Sequence, residues 1–322
     1  MKFNIIYVEK KIRDYENTKK ILSRIKFKKI IYCENYSQIF NPKNQNFRIQ
    51  KTNPSLILAK KENNLILKTP TKFSIGYDKN FYFSHMLNCI YDCKYCFLQG
   101  MFNSAHYVIF VNYSDFIKVI RKLTSNTKET ICFFSGYDCD SLAMEKITNF
   151  LDFFLVEFQK IKKGILEIRT KSVKINIFRK FRPINNVIIA YSLNPSEIIE
   201  RFEDKTPKLQ ERIKSLAQLQ KLGWSIGLRF DPLITINKNY NYYKSFFELV
   251  FDNLDTNKIH SVTIGEFRMP KQFFNKFSSL RPYESFLFKN LIEDSEIEKS
   301  RKLEIFEKEI RKYVSKKKIF QN

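Results

Sequence analysis

The chain has 322 residues, 43% of them hydrophobic, which is enough to bury a full core and too many for a globally disordered chain. Lys and Arg total 57 against 33 Asp and Glu, a formal net charge of +24 that suits a polyanionic partner through counterion release and steering. A coding bias toward Lys, Asn, Ile and Phe gives the same balance, so charge alone leaves both a nucleic-acid surface and a merely basic protein open.

No stretch offers the roughly 18 or more continuous apolar residues of a membrane span. The opening Met1-Lys-Phe-Asn-Ile-Ile-Tyr-Val-Glu-Lys-Lys11 breaks into charge too early for a secretory signal. The expectation is a cytoplasmic protein without membrane association, whose cysteines stay reduced. Cys33, Cys132 and Cys139 then need not be disulfide partners.

After a mixed segment to about residue 75, β-rich runs alternate with helical patterns: 79–87, then 107–112 with a helix from Ser114, then 129–135 with a helix from Asp140. Further strands are predicted near 164–170, 186–193, 225–231 and 259–266, separated by amphipathic segments such as 206–222 and 241–255. The tail over 299–318 carries apolar residues at helical spacing and predicts a solvated terminal helix packed on the body. Repeated βα units require a parallel sheet with right-handed crossovers, which makes the fold α/β and barrel-like. The division expected is an N-terminal elaboration over 1–75 and a catalytic region over 76–322 ending in a helical tail. Barrels of this kind do their chemistry where the strands end.

Three cysteines, Cys89, Cys93 and Cys96, stand in Asn88-Cys-Ile-Tyr-Asp-Cys-Lys-Tyr-Cys-Phe-Leu-Gln-Gly100, a C-x3-C-x2-C spacing just after an aromatic, strand-like run. Thiolates hold iron–sulfur clusters, and a [4Fe–4S] cluster normally takes four of them. Three leave one iron with an open position. The competing reading is structural zinc, which usually shows paired spacings totalling four Cys or His ligands. His85 and His106 are the nearest candidates, and neither completes such a spacing.

The spacing resembles the radical S-adenosylmethionine (SAM) superfamily. That resemblance implies a partial (β/α)6 barrel of the TIM type, a [4Fe–4S] cluster and SAM bound through its amino and carboxylate groups to the open iron. It also implies reductive cleavage of SAM to methionine and a 5′-deoxyadenosyl radical that abstracts hydrogen from a substrate. Tyr95-Cys96-Phe97-Leu98-Gln99 further resembles the Tyr-Cys-Tyr-Leu-Gln of the spore photoproduct lyase family. The likeness continues in that family's order through Ile6-Tyr-Val-Glu9, Lys51-Thr-Asn-Pro54, the segment Ser192 to Thr206, Arg212-Ile213 and the segment Gly223 to Ile234. It implies a DNA-repair carbon–carbon lyase acting on a pyrimidine photoproduct, with DNA as partner and an external electron donor such as flavodoxin or ferredoxin.

The same resemblance supplies candidate site residues. Ser135-Gly136 stands where radical SAM proteins often carry a Gly-Gly-Glu-like turn that meets the SAM amino group. Lys171, in Glu167-Ile-Arg-Thr-Lys171, is a candidate for the SAM carboxylate, and Ser192 and Asn194, in Tyr191-Ser-Leu-Asn194, for polar groups of the cofactor. Ordinary capping or turn roles compete for each. Tyr95 fits an aromatic position near the adenine, or simply packs. Arg268 and Lys271, after the last barrel strand, are the basic residues placed nearest the substrate; a solvated turn at Pro270 is the competing reading.

Two departures from the family bear on the reaction. The family's hydrogen-donating cysteine aligns with Tyr137 here, and Cys139 follows two residues later, either as a displaced donor or as an inert buried thiol. The family tyrosine after the third cluster cysteine is Phe97. A radical SAM enzyme acting on another substrate, such as RNA, a peptide or a small molecule, therefore stays open. So does a non-enzymatic basic nucleic-acid-binding protein with a structural cluster or zinc.

Overall fold

The computed structural model describes residues 1–70, 73–235 and 240–322. In chain order the strands are β1 (Lys2–Glu9), β2 (Lys26–Cys33), β3 (Leu56–Ala59), β4 (Leu67–Lys68), β5 (Lys79–Phe83), β6 (Met86–Leu87), β7 (Asp92–Cys93) and β8 (Tyr107–Phe110). They continue as β9 (Ile131–Ser135), β10 (Gly164–Thr170), β11 (Val187–Ser192), β12 (Glu203–Asp204), β13 (Ser225–Leu233), β14 (Ile259–Glu266) and β15 (Ile319–Gln321).

Eight strands form the larger sheet in the order β15-β14-β13-β11-β10-β9-β5-β4. The six from β5 to β14 are all parallel, and the sheet curls into a half barrel. Strands covered on both faces need continuous apolar runs rather than alternation. The Ile-Cys-Phe-Phe-Ser of β9 and the Val-Ile-Ile-Ala-Tyr of β11 are such runs, and all ten residues are buried. Helices cover the outer face. In Tyr113–Ser125 the buried residues Tyr113, Phe116, Ile117, Ile120 and Thr124 recur at helical spacing and pack one stripe on the core.

A second sheet, β2-β1-β3-β8-β6, lies N-terminal to the barrel in sequence and takes strands from within it. The run at 107–112, expected as a barrel strand, is β8, which pairs in parallel with β3 in the register Leu56↔Tyr107 to Ala59↔Phe110. The expected strand 79–87 is two: β5 joins the barrel, and after Ser84-His85 the chain crosses to the second sheet as β6. Apolar runs announce strands; their partners are a long-range choice that periodicity does not encode.

The helix expected from Asp140 begins later. The Asp140 carboxylate instead accepts from the backbone N–H groups of Leu142 and Ala143, and left-handed Asn149 separates Glu145–Thr148 from Phe150–Phe158. At the C-terminus, helices Lys271–Leu280, Pro282–Glu293 and Glu296–Ile310 precede β15, which pairs with β14. The last residues thus extend the barrel sheet rather than the terminal helix. Among the described residues no helix is long and apolar enough to cross a membrane.

Candidate active site

The cysteine loop leaves β6 at Asn88, whose left-handed backbone (φ 66) turns the chain while its side-chain amide donates to the carbonyls of Ser104 and His106, both at 2.7 Å. Within the loop, β7 pairs antiparallel with β12, and the Lys94 N–H donates to the Phe202 carbonyl at 2.7 Å. The turn then closes with Cys96 N–H on the Cys93 carbonyl at 3.0 Å before the short helix Leu98–Met101. Gly100 of that helix meets helix Lys271–Leu280 directly: a Cβ there would lie 2.1 Å from the Phe273 carbonyl oxygen.

Cys89, Cys93 and Cys96 line one cavity of about 630 Å³. Its other walls include the C-terminal ends of β9, β10, β11, β13 and β14 and the residues after them, contributing Ser135 to Tyr137, Cys139, Asp140, Arg169 to Lys171, Ser192, Asp231 and Glu266 to Arg268. Among the described residues no three His, Cys, Asp or Glu side chains converge on one ion-sized position. All three cysteines open onto this one space, whose volume lies in the range of cofactor sites. Burial raises all three thiols above their ordinary pKa, so each is a protonated thiol until a metal displaces the proton. The donor set fits an iron–sulfur cluster.

Lys171 reaches into this wall. Its Nζ lies 3.8 Å from Cys93 Sγ, 3.0 Å from the Tyr95 hydroxyl and 3.4 Å from Glu203 Oε1. Glu203 is the hub of a buried network: it accepts from the Tyr95 hydroxyl, from Asn194 Nδ2 at 3.0 Å and from Arg212 Nη2 at 2.5 Å. Burial works against its ionisation, but the charges of Lys171 and Arg212 and these hydrogen bonds outweigh it and hold the carboxyl at about 2. Asp140 braces the adjoining corner, accepting from Thr170 Oγ1 at 2.7 Å and the Lys171 N–H at 2.6 Å. It thereby locks the loop after β9 to the end of β10.

The remaining sequence candidates divide into two groups. Ser135 and Gly136 line the cavity, with Ser135 Oγ engaged by Ser141 Oγ at 2.8 Å and the Glu167 carbonyl at 3.0 Å. Gly136 has φ +82 and no room for a Cβ, which would lie 2.5 Å from Ser141 Oγ. Tyr137 is partly exposed at the cavity wall, its ring 4.4 Å from that of Tyr82 and 5.7 Å from that of Phe97, centroid to centroid. Cys139 is buried on the same wall, and burial raises its thiol well above the ordinary range. Ser192 and Tyr95 line the cavity, whereas Asn194 sits behind Tyr95 with Glu203. Arg268 lines the rim and pairs with Asp231 at 3.3 Å; Lys271 is exposed at the start of its helix and does not line the cavity.

Sequence reasoning missed several residues that shape this site. Arg169 lines the cavity with one guanidinium nitrogen, Nη2, buried and without a partner among the described residues, while its guanidinium carbon lies 4.9 Å from the centroid of the Phe73 ring. Strand alternation would have pointed to it, since Arg169 stands two residues before Lys171 at the end of β10. Glu203, in β12, and Arg212, in the helix Leu209–Lys221, gave no such signal, because nothing in the local pattern sets them apart from neighbouring acids and bases.

The spore photoproduct lyase family model matches residues 1–319. The spore photoproduct lyase of Clostridium acetobutylicum is 25% identical over 164 residues, covering 50% of this chain and 48% of that one. That of Bacillus subtilis is 23% identical over 177 residues, 54% of this chain and 52% of that one. The chain thus spans about half the length of the curated relatives it matches. Two solved structures share the fold at 15% identity, each with a TM-score of 0.77 over 99% of this chain and 98% of the other. One is a spore photoproduct lyase complexed with dinucleoside spore photoproduct, the other a mutant with bound AdoMet and the same dinucleoside. With the family model covering nearly its whole length, this chain belongs to the spore photoproduct lyase family.

Proposed function

We propose that this protein is a radical SAM lyase that splits a pyrimidine photoproduct in DNA. The observation that carries the reading is the convergence of Cys89, Cys93 and Cys96 with Lys171, Arg169, Tyr137 and Cys139 on one strand-end cavity. When bound, a [4Fe–4S] cluster with SAM supplies one-electron chemistry that yields a hydrogen-abstracting radical. Cys89, Cys93 and Cys96 would hold the cluster, and Lys171 and the Arg169 nitrogen that has no partner among the described residues would face an anionic cofactor group. Ser135, Gly136 and Ser192 border the same space, and Asn194 orients Tyr95 from behind.

Cys139 returns the hydrogen atom. Burial keeps it a thiol, and its weak S–H bond gives up hydrogen to a carbon radical, leaving a sulfur radical that takes an electron and a proton to be restored. The external electron-donor protein, of the flavodoxin or ferredoxin type, supplies that electron. Arg268 at the rim, with Lys271 beyond it, engages the DNA backbone, supported by the +24 net charge. The division into an elaboration over 1–75 and a catalytic region over 76–322 belongs to the same proposal, as does a cytoplasmic location suited to an oxidation-sensitive cluster.

The second reading, a radical SAM enzyme with another substrate, is favoured by Phe97 and Tyr137 standing where the resemblance leads one to expect a tyrosine and a cysteine. Anaerobically reconstituted protein incubated with SAM, dithionite and a dinucleotide spore photoproduct separates the two. Conversion to thymine dinucleotide supports the first; 5′-deoxyadenosine formation with the lesion untouched supports the second.

A further inference from the structure

Lys51 does not line the cavity, yet it is buried, and its Nζ donates to the carbonyl oxygens of Cys89 and, at 3.1 Å, Tyr91. Both acceptors belong to the backbone of the cysteine loop. The same nitrogen sits 5.5 Å from the centroid of the Tyr107 ring. Among the described residues it has no carboxylate partner: the nearby Asp92 carboxylate is taken by Arg48 and Arg281. Burial lowers the Lys51 pKa below the ordinary lysine value; Cys89, Asp92 and Cys96 act against that from around it, while Lys205 adds a like charge.

A buried ammonium without a carboxylate partner costs several kcal/mol, and an apolar side chain of similar volume avoids that cost. The fold nevertheless keeps a lysine here, where a cluster ligated by Cys89 and Cys96 brings negative charge. We propose that Lys51 is the electrostatic counterpart of the cluster, offsetting the charge of the Cys89 and Cys96 thiolates and favouring the reduced cluster they hold. This rests on the cluster assignment made above. A cation beside a redox centre stabilises its more negative oxidation state, so removing the cation lowers the reduction potential. Lys171 lies near Cys93 on the same terms, but its cation also serves Glu203 and the cofactor, which makes Lys51 the cleaner position to change.

The test compares wild type, Lys51→Met and Lys51→Arg after anaerobic reconstitution without SAM. Iron and sulfide per chain, the cluster midpoint by EPR-monitored redox titration, and the denaturant midpoint of each apo protein are measured. The expected result is that Lys51→Met lowers the reduced-to-oxidised ratio at fixed potential about tenfold, a midpoint about 59 mV lower for a one-electron couple. Lys51→Arg should stay close to wild type, and apo Lys51→Met should be at least as stable as apo wild type. Loading lost in Lys51→Met but kept in Lys51→Arg would also support the charge role. A fully loaded Lys51→Met with the wild-type midpoint overturns it, as does loss of loading in both variants while both apo proteins stay folded. In either case a carbonyl clamp is all that is left. Wild-type protein that takes up no iron would instead overturn the cluster assignment itself.

Discussion

Arg281 Nη2 lies 3.1 Å from Asp92 Oδ1, so a residue just before a C-terminal helix grips the loop that carries the three motif cysteines. Arg48 holds the same carboxylate from the N-terminal side at 2.8 and 3.0 Å. Gln99 accepts from both arginines, at 2.8 Å from Arg281 and 3.2 Å from Arg48, and returns a hydrogen bond to the Cys93 carbonyl at 3.0 Å. Burial opposes ionisation of Asp92, but the Arg48 hydrogen bond and the two guanidinium charges outweigh it and keep the carboxyl below its ordinary value. The loop is therefore built from three distant parts of the chain.

Arg281→Ala should destabilise the apo protein by about 2 kcal/mol. Breaking a buried ion pair costs about 3–5 kcal/mol when the other charge is left alone, and Arg48 remains here to hold Asp92. Denaturant unfolding measures the change, and iron retention after reconstitution should fall with it. An unchanged midpoint and full iron loading would mean that Arg48 alone holds the loop.

The pH dependence of stability follows from Glu203. Its carboxyl lies at about 2 in the folded protein, against about 4.3 for an unperturbed glutamate. A depressed carboxyl contributes stability that is fully present above the unfolded value and disappears as pH falls through the folded one. Between about pH 4.5 and about pH 2, wild type should lose on the order of 3 kcal/mol that Glu203→Gln does not lose. At pH 7 the variant should be the less stable protein, because Lys171 and Arg212 lose their counter-charge. Parallel stability curves for the two proteins across that window would remove Glu203 from this role.

Replacing Cys89, Cys93 or Cys96 with Ala should abolish both the binding of about four irons per chain and the release of 5′-deoxyadenosine from SAM. Iron and sulfide analysis and chromatography of the reaction check the two effects separately. A triple alanine variant that still cleaved SAM would end the cluster assignment.

Cys139→Ala should leave SAM cleavage intact and divert the lesion to misquenched adducts. Cys132→Ala, in the interior of β9, should change packing alone. Mass spectrometry of the products distinguishes them. Normal product at the normal rate from Cys139→Ala would move the donor role to the Tyr137 hydroxyl on the same cavity wall or to solvent, and Tyr137→Phe then decides between those two.

Duplex DNA affinity should fall steeply with added salt, since each neutralised phosphate contributes about 0.9 to the logarithmic slope. Arg268→Ala should weaken binding and flatten that slope by about one unit, measured by fluorescence anisotropy at several salt concentrations. Salt-insensitive or absent binding would favour the second substrate reading.

Sequence alone determined the features that are local along the chain. The C-x3-C-x2-C spacing is readable because all three cysteines lie within eight residues, and the apolar runs of β9 and β11 announce buried parallel strands by composition. The turn at Ser135-Gly136 is equally local, and its glycine is required by a positive φ. Tertiary structure decided whatever depends on which segments meet. It placed β8 beside β3 instead of in the barrel, and turned the tail from Ile319 into an edge strand. It also joined Glu203 to Tyr95 across 108 positions, Arg281 to Asp92 across 189, and Lys51 to the Cys89 carbonyl across 38. Hydrophobic periodicity has a short range because it records which face of one element is buried. Charge pairing acts through space, so among 57 basic residues only the fold selects the few that surround the cysteine loop.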